Sequence, residues 1–246
     1  MAKNIDKNML IAKIKEKKEL SGISDSVVLD SLDNYLKKYS INIQKIKHSQ
    51  IKIIVKEIRA NLRKLVGQYQ ISKKQIIENL DSHTSTRERK DFYPKLKKMI
   101  EKINPCSILD LGCGLNPLAL AEKNIFYYAS DINETALSLV EQHFKRNKIK
   151  GKIFVYDIRK INNDLPKADL CLLFKILDIL DKNLAEKIIS SVPCDKILVS
   201  FATKKLSGKK MSRPIRIWFE KILERNLWKY EKIYSDNEIF YSIEKM

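Results

Sequence analysis

Up to about Asn104 the apolar residues recur every three or four positions, the spacing that lays one face of an α-helix against a core. Ser24 and Asp25 can cap a helix whose apolar positions are Val27, Val28, Leu32, Tyr35 and Leu36. A longer helix is expected over about 43–69, with Ile46, Ile54, Ile58, Leu62, Leu65 and Val66 along one side. Ser72 opens a shorter one that runs to about residue 80. From Cys106 the rhythm changes. Short apolar runs alternate with helical stretches, the signature of a parallel sheet with crossover helices. Strands are predicted at 107–111, 126–130, 152–156, 169–174 and 196–201, and helices between them at about 117–123, 134–147 and 183–190. A helix through Trp218 to about residue 227 follows, then two closing strands, 228–234 and 238–243, separated by Ser235-Asp236-Asn237. The predicted organisation is a helical region over residues 1–80 and an α/β domain over 81–246.

Charge adds a partner to this picture. The 246 residues carry 48 basic and 30 acidic side chains, a net charge of +18, with 44% hydrophobic residues, enough for a packed core. Such an excess suggests a polyanion, nucleic acid ahead of membrane. A lysine-heavy composition would give the same total, so the distribution matters. Residues 1–80 hold 17 basic against 8 acidic side chains. The long helix sets Lys47, Lys52, Lys56, Arg59, Arg63 and Lys64 opposite its apolar side, although any solvated helix face would do so. The stretch 203–216 contains Lys204, Lys205, Lys209, Lys210, Arg213 and Arg216 and no acid. Apart from Arg216, which only adds to the local charge, these cations are the candidate RNA-binding residues.

Other classes are disfavoured. No apolar run approaches the roughly 20 residues that cross a bilayer. The lysine-rich start carries Asp6, Glu16 and Glu19 without an apolar core, so it does not read as a signal peptide, and a cytosolic protein is expected. Cys106, Cys113, Cys171 and Cys194 form no C-x-x-C pair and have no histidine at ligand spacing, so no metal is expected. Cys106 and Cys171, in or beside apolar runs, are expected as reduced core residues.

The chemistry gathers at strand ends. The first strand closes on Ile108-Leu-Asp-Leu-Gly-Cys-Gly-Leu-Asn116, where Gly112 and Gly114 permit a sharp turn and close approach of a ligand. A dinucleotide site would want a third glycine where Pro117 stands. Asp110, two residues before Gly112, is instead the arrangement of S-adenosylmethionine (SAM)-dependent methyltransferases, and a sheet closed by an antiparallel hairpin is a common ending in that class. Asp131 ends the second strand, placed to accept from both ribose hydroxyls, with Ile132 beside it. Asp157 ends the third, placed to accept from the adenine amino group, with Ile158 behind the ring. Each acid alone reads more readily as a helix cap or turn former. Three at successive strand ends, with the glycines in place, point to SAM. The turn after strand four, Phe174-Lys-Ile-Leu-Asp178, lacks the Asn/Asp-Pro-Pro-aromatic sequence of exocyclic-amine methylases. Pro193-Cys194 precedes strand five, out of place for a cytosine-C5 nucleophile. A ring nitrogen, a hydroxyl and a small molecule remain open as acceptors.

At His83-Thr-Ser-Thr-Arg-Glu-Arg89 the chain resembles the 16S rRNA guanine-N7 methyltransferases that confer aminoglycoside resistance. The same family shares Cys-Gly-Leu-Asn-Pro-Leu-Ala, here 113–119, and Ala-Ser-Asp-Ile, here 129–132. It shares Leu-Leu-x-Lys, here 172–175, and Phe-x-Thr-Lys-x-Leu, here 201–206. The resemblance covers roughly 80–245; the first third resembles the family's helical rRNA-binding domain in size and charge only. It implies that Thr86 and Arg87 reach the cofactor, Arg87 through its guanidinium fork on the SAM carboxylate. Without the family, Arg87 would read as a helix-start ion pair with Glu88 or Asp91. Lys175 and Lys204 are implied as contacts at the cofactor or target nucleotide, with no acid–base residue required. The implied partner is the small ribosomal subunit, met by a monomer. The loop 204–213 departs from the family in being shorter and more basic. Competing readings are a methyltransferase for another rRNA or tRNA site, or a non-catalytic RNA-binding relative. A further expectation is that cofactor binding and RNA docking are separable, so that a chain starting near Asp81 binds SAM normally.

Overall fold

The computed structural model describes residues 6–66, 88–161, 164–205 and 208–245. Three helices lead: α1 (Lys7–Lys15), α2 (Asp25–Lys38) and α3 (His48–Val66). Asp6 caps α1, its carboxylate accepting from the Met9 amide at 2.7 Å. Ser24 occupies the cap position of α2, but its hydroxyl lies 3.0 Å from that of Ser26 and makes no capping bond. The long helix begins later than its pattern suggests. Asn42 accepts from Gln44 N and sets a 3₁₀ turn over Ile43–Lys45, and the α-helix starts after it. Leu10, Ile14, Leu32, Ile54, Ile58 and Leu62 close the core of this unit. The end of the long helix past Val66 and the 72–80 helix lie outside the described residues.

The second unit opens with α4 (Tyr93–Ile103) and holds a seven-stranded sheet: β1 (Ser107–Leu111), β2 (Phe126–Asp131), β3 (Gly151–Val155), β4 (Leu170–Phe174), β5 (Lys196–Ala202), β6 (Lys229–Tyr234) and β7 (Glu238–Glu244). Its order is β3-β2-β1-β4-β5-β7-β6, with only β7 antiparallel to its two neighbours. The connecting helices are α5 (Pro117–Leu120), α6 (Glu134–Asn147), α7 (Lys182–Ser191) and α8 (Ile217–Arg225). β4 is apolar throughout and buried on both faces, as a central parallel strand must be. The strand order reverses beside β1, so the carboxyl ends of β1, β2 and β4 meet where such sheets take ligands. This is the fold of SAM-dependent methyltransferases. Among the described residues no helix is long and apolar enough to cross a membrane, and no cluster of three metal-ligating side chains occurs. Cys113, Cys171 and Cys194 are buried and form no disulfide; Cys106, expected in the core, is exposed, because it precedes β1 rather than lying in it.

Candidate functional site

Asp110 lies at the carboxyl end of β1, fully buried, with Oδ2 accepting from the Tyr127 hydroxyl at 2.8 Å. Its Oδ1 has no hydrogen-bond partner among the described residues. Burial pushes its carboxyl up to about 7, and the Asp131 charge adds to this, while the Tyr127 hydroxyl and the Arg89 charge pull it down. The folded chain therefore keeps a proton that the unfolded chain releases near the ordinary aspartate pKa, so stability falls as pH rises through that window to about 7. Asp110→Asn should accordingly raise the melting temperature of the ligand-free protein at pH 8, with the gain shrinking toward pH 5. Thermal melts across pH test this, and a destabilised variant at pH 8 refutes it.

Gly112 and Gly114 both adopt positive φ, +67° and +51°. The backbone at Gly112 favours glycine through its positive φ, and the loop approaches the turn after β4 closely enough that a Cβ there would displace the Ile176 side-chain end, 2.3 Å away. Gly114 N donates to Asp131 Oδ2 at 2.8 Å, and Asn133 N to Asp131 Oδ1 at 2.9 Å. Asp131 thus ties the loop after β1 to the end of β2, keeping lone pairs for further donors.

Asp157 stands just past the end of β3, as expected, with its carboxylate already engaged. Its carboxylate is gripped by Arg159 Nε at 2.9 and 3.1 Å and Nη2 at 2.6 Å, and it also caps its own 3₁₀ turn. Ile158 is buried in the core beside Leu111 and Leu165. Ile132 packs on the helical unit. Thr86 and Arg87 lie outside the described residues.

Lys175, just past β4, is buried at φ +58°, an unusual conformation for a lysine and a mark of functional sites. Its ammonium meets Glu88 at 2.7 Å and Glu238 at 3.3 Å. Glu238, the first residue of β7, also accepts from Arg89 at 3.0 and 2.8 Å and from the Ser200 hydroxyl at 2.6 Å. Arg89 reaches Asn116 Oδ1 at 2.6 Å as well, which the Tyr93 hydroxyl shares at 2.9 Å. Burial would push the Glu238 carboxyl up, but Arg89 and Lys175 outweigh it and hold the carboxyl below its usual range. The network joins the entry segment, the glycine loop and the ends of β4, β5 and β7. Sequence reasoning missed it: Arg89 sits in the noted motif, but nothing marks Glu238, Asn116 or Ser200 as its partners.

The basic stretch after β5 is a tight hairpin rather than an open loop. Lys204 bridges Lys210, Lys205 N donates to Lys209 O at 2.8 Å, and Met211 N to Thr203 O at 2.8 Å. Lys205, Lys209, Lys210 and Arg213 face solvent; Lys204 is half-buried. Arg216 leaves the cationic set: it pairs with Asp178 at 2.8 and 2.7 Å and donates to Ala202 O, pinning the hairpin base. Lys47, just before α3, and Lys52, Lys56 and Lys64 on it are exposed. Arg59, expected among them, turns inward instead to the Ile14 and Lys13 carbonyls and Glu16, closing the carboxyl end of α1. Arg63 pairs with Glu19 at 2.8 Å and stays partly exposed.

These residues fit SAM. An orphaned buried carboxylate oxygen on Asp110 and the spare lone pairs of Asp131 are acceptors for a ligand rich in ammonium and hydroxyl donors, and the glycine turn gives its backbone room.

Residues 41–242 match the family model for ribosomal RNA methyltransferases (FmrO). A Serratia marcescens protein named 16S rRNA (guanine(1405)-N(7))-methyltransferase is 29% identical over 217 residues, 81% of this chain and 86% of that one. A Micromonospora echinospora protein of the same name is 30% identical over 177 residues, spanning 66% of this chain and 63% of its own length. Among solved structures, the 16S rRNA methylase RmtB aligns with a TM-score of 0.77 at 22% identity, over 98% of this chain and 99% of that one. The methyltransferase RmtF in complex with S-adenosyl-L-homocysteine aligns at 0.76 and 18%, over the whole of both chains.

Proposed function

The chain belongs to the family of ribosomal RNA methyltransferases described as FmrO, and on that premise we propose that it methylates N7 of a decoding-region guanine in 16S rRNA, the position-1405 reaction named for the Serratia and Micromonospora proteins. The substrate is the small ribosomal subunit, met by a cytoplasmic monomer. What carries the reading is one juxtaposition: acceptors Asp110 and Asp131 and the buried Lys175 share the carboxyl end of the sheet with a hairpin that exposes Lys205, Lys209 and Lys210.

Guanine N7 has an in-plane lone pair and no proton at neutral pH, so the transfer needs no general base. Bound SAM supplies an electrophilic methyl group on a positively charged sulfur. Catalysis then rests on placing the flipped-out base in line with that methyl, a matter of orientation. Asp110 and Asp131 hold the cofactor's donors, and Glu88 and Glu238 hold Lys175 where the turn after β4 meets the site. Thr86, Arg87 and Lys204 complete the proposed contacts at cofactor and nucleotide. Asp157 reaches the adenine only by sharing its carboxylate with Arg159, and Ile132 and Ile158 act from behind the pocket. Exposed lysines of α3 and the hairpin meet phosphates. The cation formed on N7 makes the decoding site a poorer host for a cationic aminoglycoside, hence resistance.

The test uses the same cation. After incubation with small subunits and SAM, borohydride and aniline treatment should cut 16S rRNA at a decoding-site guanine, only when SAM was present. A methyl group found on adenine N1 by mass spectrometry would overturn the assignment.

A further inference from the structure

The helical unit does not simply hang from the methyltransferase unit. Ser24 N donates to Ile132 O at 2.9 Å and Glu134 N to Gly22 O at 2.8 Å, so Ile23 and Asn133 form an antiparallel bridge. These are the residues that follow Asp131. Ile23 is fully buried and Ile132 packs into the helical core. There is no slack in the joint: a Cβ on Gly22 would lie 2.7 Å from Asn133 Oδ1 and 2.8 Å from Thr135 Oγ1. Asn133 Oδ1 is itself engaged, capping α6 by accepting from Ala136 N at 3.1 Å. Asn133 N in turn fixes Asp131, and Asp131 fixes Gly114. A second tie joins α2 to the next strand end, where Asp30 pairs with Lys160, and Ser31 lies 3.4 Å from Arg159, the residue that grips Asp157.

We propose that the turn Gly22–Ile23–Ser24 is a positioning element of the cofactor site, through which the RNA-docking helical unit sets the carboxylate of Asp131. It acts through Asn133 and touches no ligand itself. The clause about docking rests on the rRNA reading above; the effect on the cofactor does not. Binding on either side of the joint is then linked: cofactor orders the 131–134 segment, and that order is shared with the helices that meet RNA. A helical unit cut away would take the brace with it, which reverses the expectation that a chain starting near Asp81 binds SAM normally.

The experiment is calorimetry of S-adenosylhomocysteine binding to the full chain and to Gly22→Ala. The variant should bind about tenfold more weakly, a coupling of ordinary size. Adding Asn133→Ser and Thr135→Ala makes room for the methyl and keeps a capping oxygen, and should restore affinity to that of the Asn133→Ser/Thr135→Ala control. Because relief of the clash would also cure a general folding defect, the discriminating readout is hydrogen exchange. Hydrogen exchange on the unaltered protein gives a second readout, valid even if Gly22→Ala fails to fold: S-adenosylhomocysteine should slow exchange at the Ser24 and Glu134 amides more than at amides inside α1. Unchanged affinity in a folded Gly22→Ala, or no change at those two amides, overturns the proposal. Failure of the rRNA reading would appear separately, as no binding of small subunits by the unaltered protein.

Discussion

Glu238→Ala should destabilise the protein by about 3–5 kcal/mol, because it strands a buried charge. Arg89 and Glu238 each keep about 1% of their side-chain surface exposed. Truncating the acid takes from the guanidinium its two-pronged carboxylate partner, leaving it bonded to Asn116 and packed on aromatic rings, and takes from Lys175 the buried one of its two acids. For a chain of this size the loss corresponds to a drop in melting temperature of about 6–20 °C. Removing both charges, as Arg89→Met with Glu238→Leu, should recover most of it, since apolar pairs of similar volume replace buried ion pairs with little loss. The melting temperatures of the three proteins decide the matter. A drop of only a degree or two in the single variant would mean that water reaches Arg89 and that the network is not a sealed part of the core.

The second large effect is on the cofactor. Asp131→Ala should weaken SAM binding at least about a hundredfold, since two charge-assisted hydrogen bonds are worth about 3–6 kcal/mol at most. The position also carries a structural duty, because Gly114 N and Asn133 N lose their acceptor. Asp131→Asn separates the two effects: its single amide oxygen keeps one backbone bond while the charge is gone, so it should melt closer to the unaltered protein yet still bind SAM poorly. Calorimetry and melting curves on both variants are the check, and a loss below tenfold in Asp131→Ala would remove Asp131 from the pocket.

What could be read from the chain was whatever repeats or turns sharply. Strand β1 and helix α6 stand at their predicted bounds, and the other strands fall within a residue or so, because apolar runs bounded by glycine, proline or capping residues leave little choice. Asp110, Gly112, Gly114 and Asp131 were legible for the same reason: a strand end followed by a forced turn is a local event. Pairings across the fold were not. Arg59 and Lys56 look alike on a helical wheel, and only the position of the α1 carboxyl end decides that one turns inward. Asp157 could be placed at its strand end, but its capture by Arg159 depends on a side-chain geometry that spacing does not encode. The Gly22–Ser24 brace left no signal, since Gly22 is required by a neighbour 111 residues away rather than by its own backbone angle.

The partners of the buried ion pair are 149 residues apart in the chain. At a synthesis rate of about 5–20 residues per second, Arg89 waits about 7–30 s for Glu238 to be made. Throughout that interval the nascent chain can form its local helices and pair β1 with β2, but neither the guanidinium nor Lys175 has Glu238 to close on. The site therefore cannot assume its final form on a partly made chain. A methylase of ribosomal RNA built in this way completes its charged cluster late in its own translation, when the first residue of β7 is made.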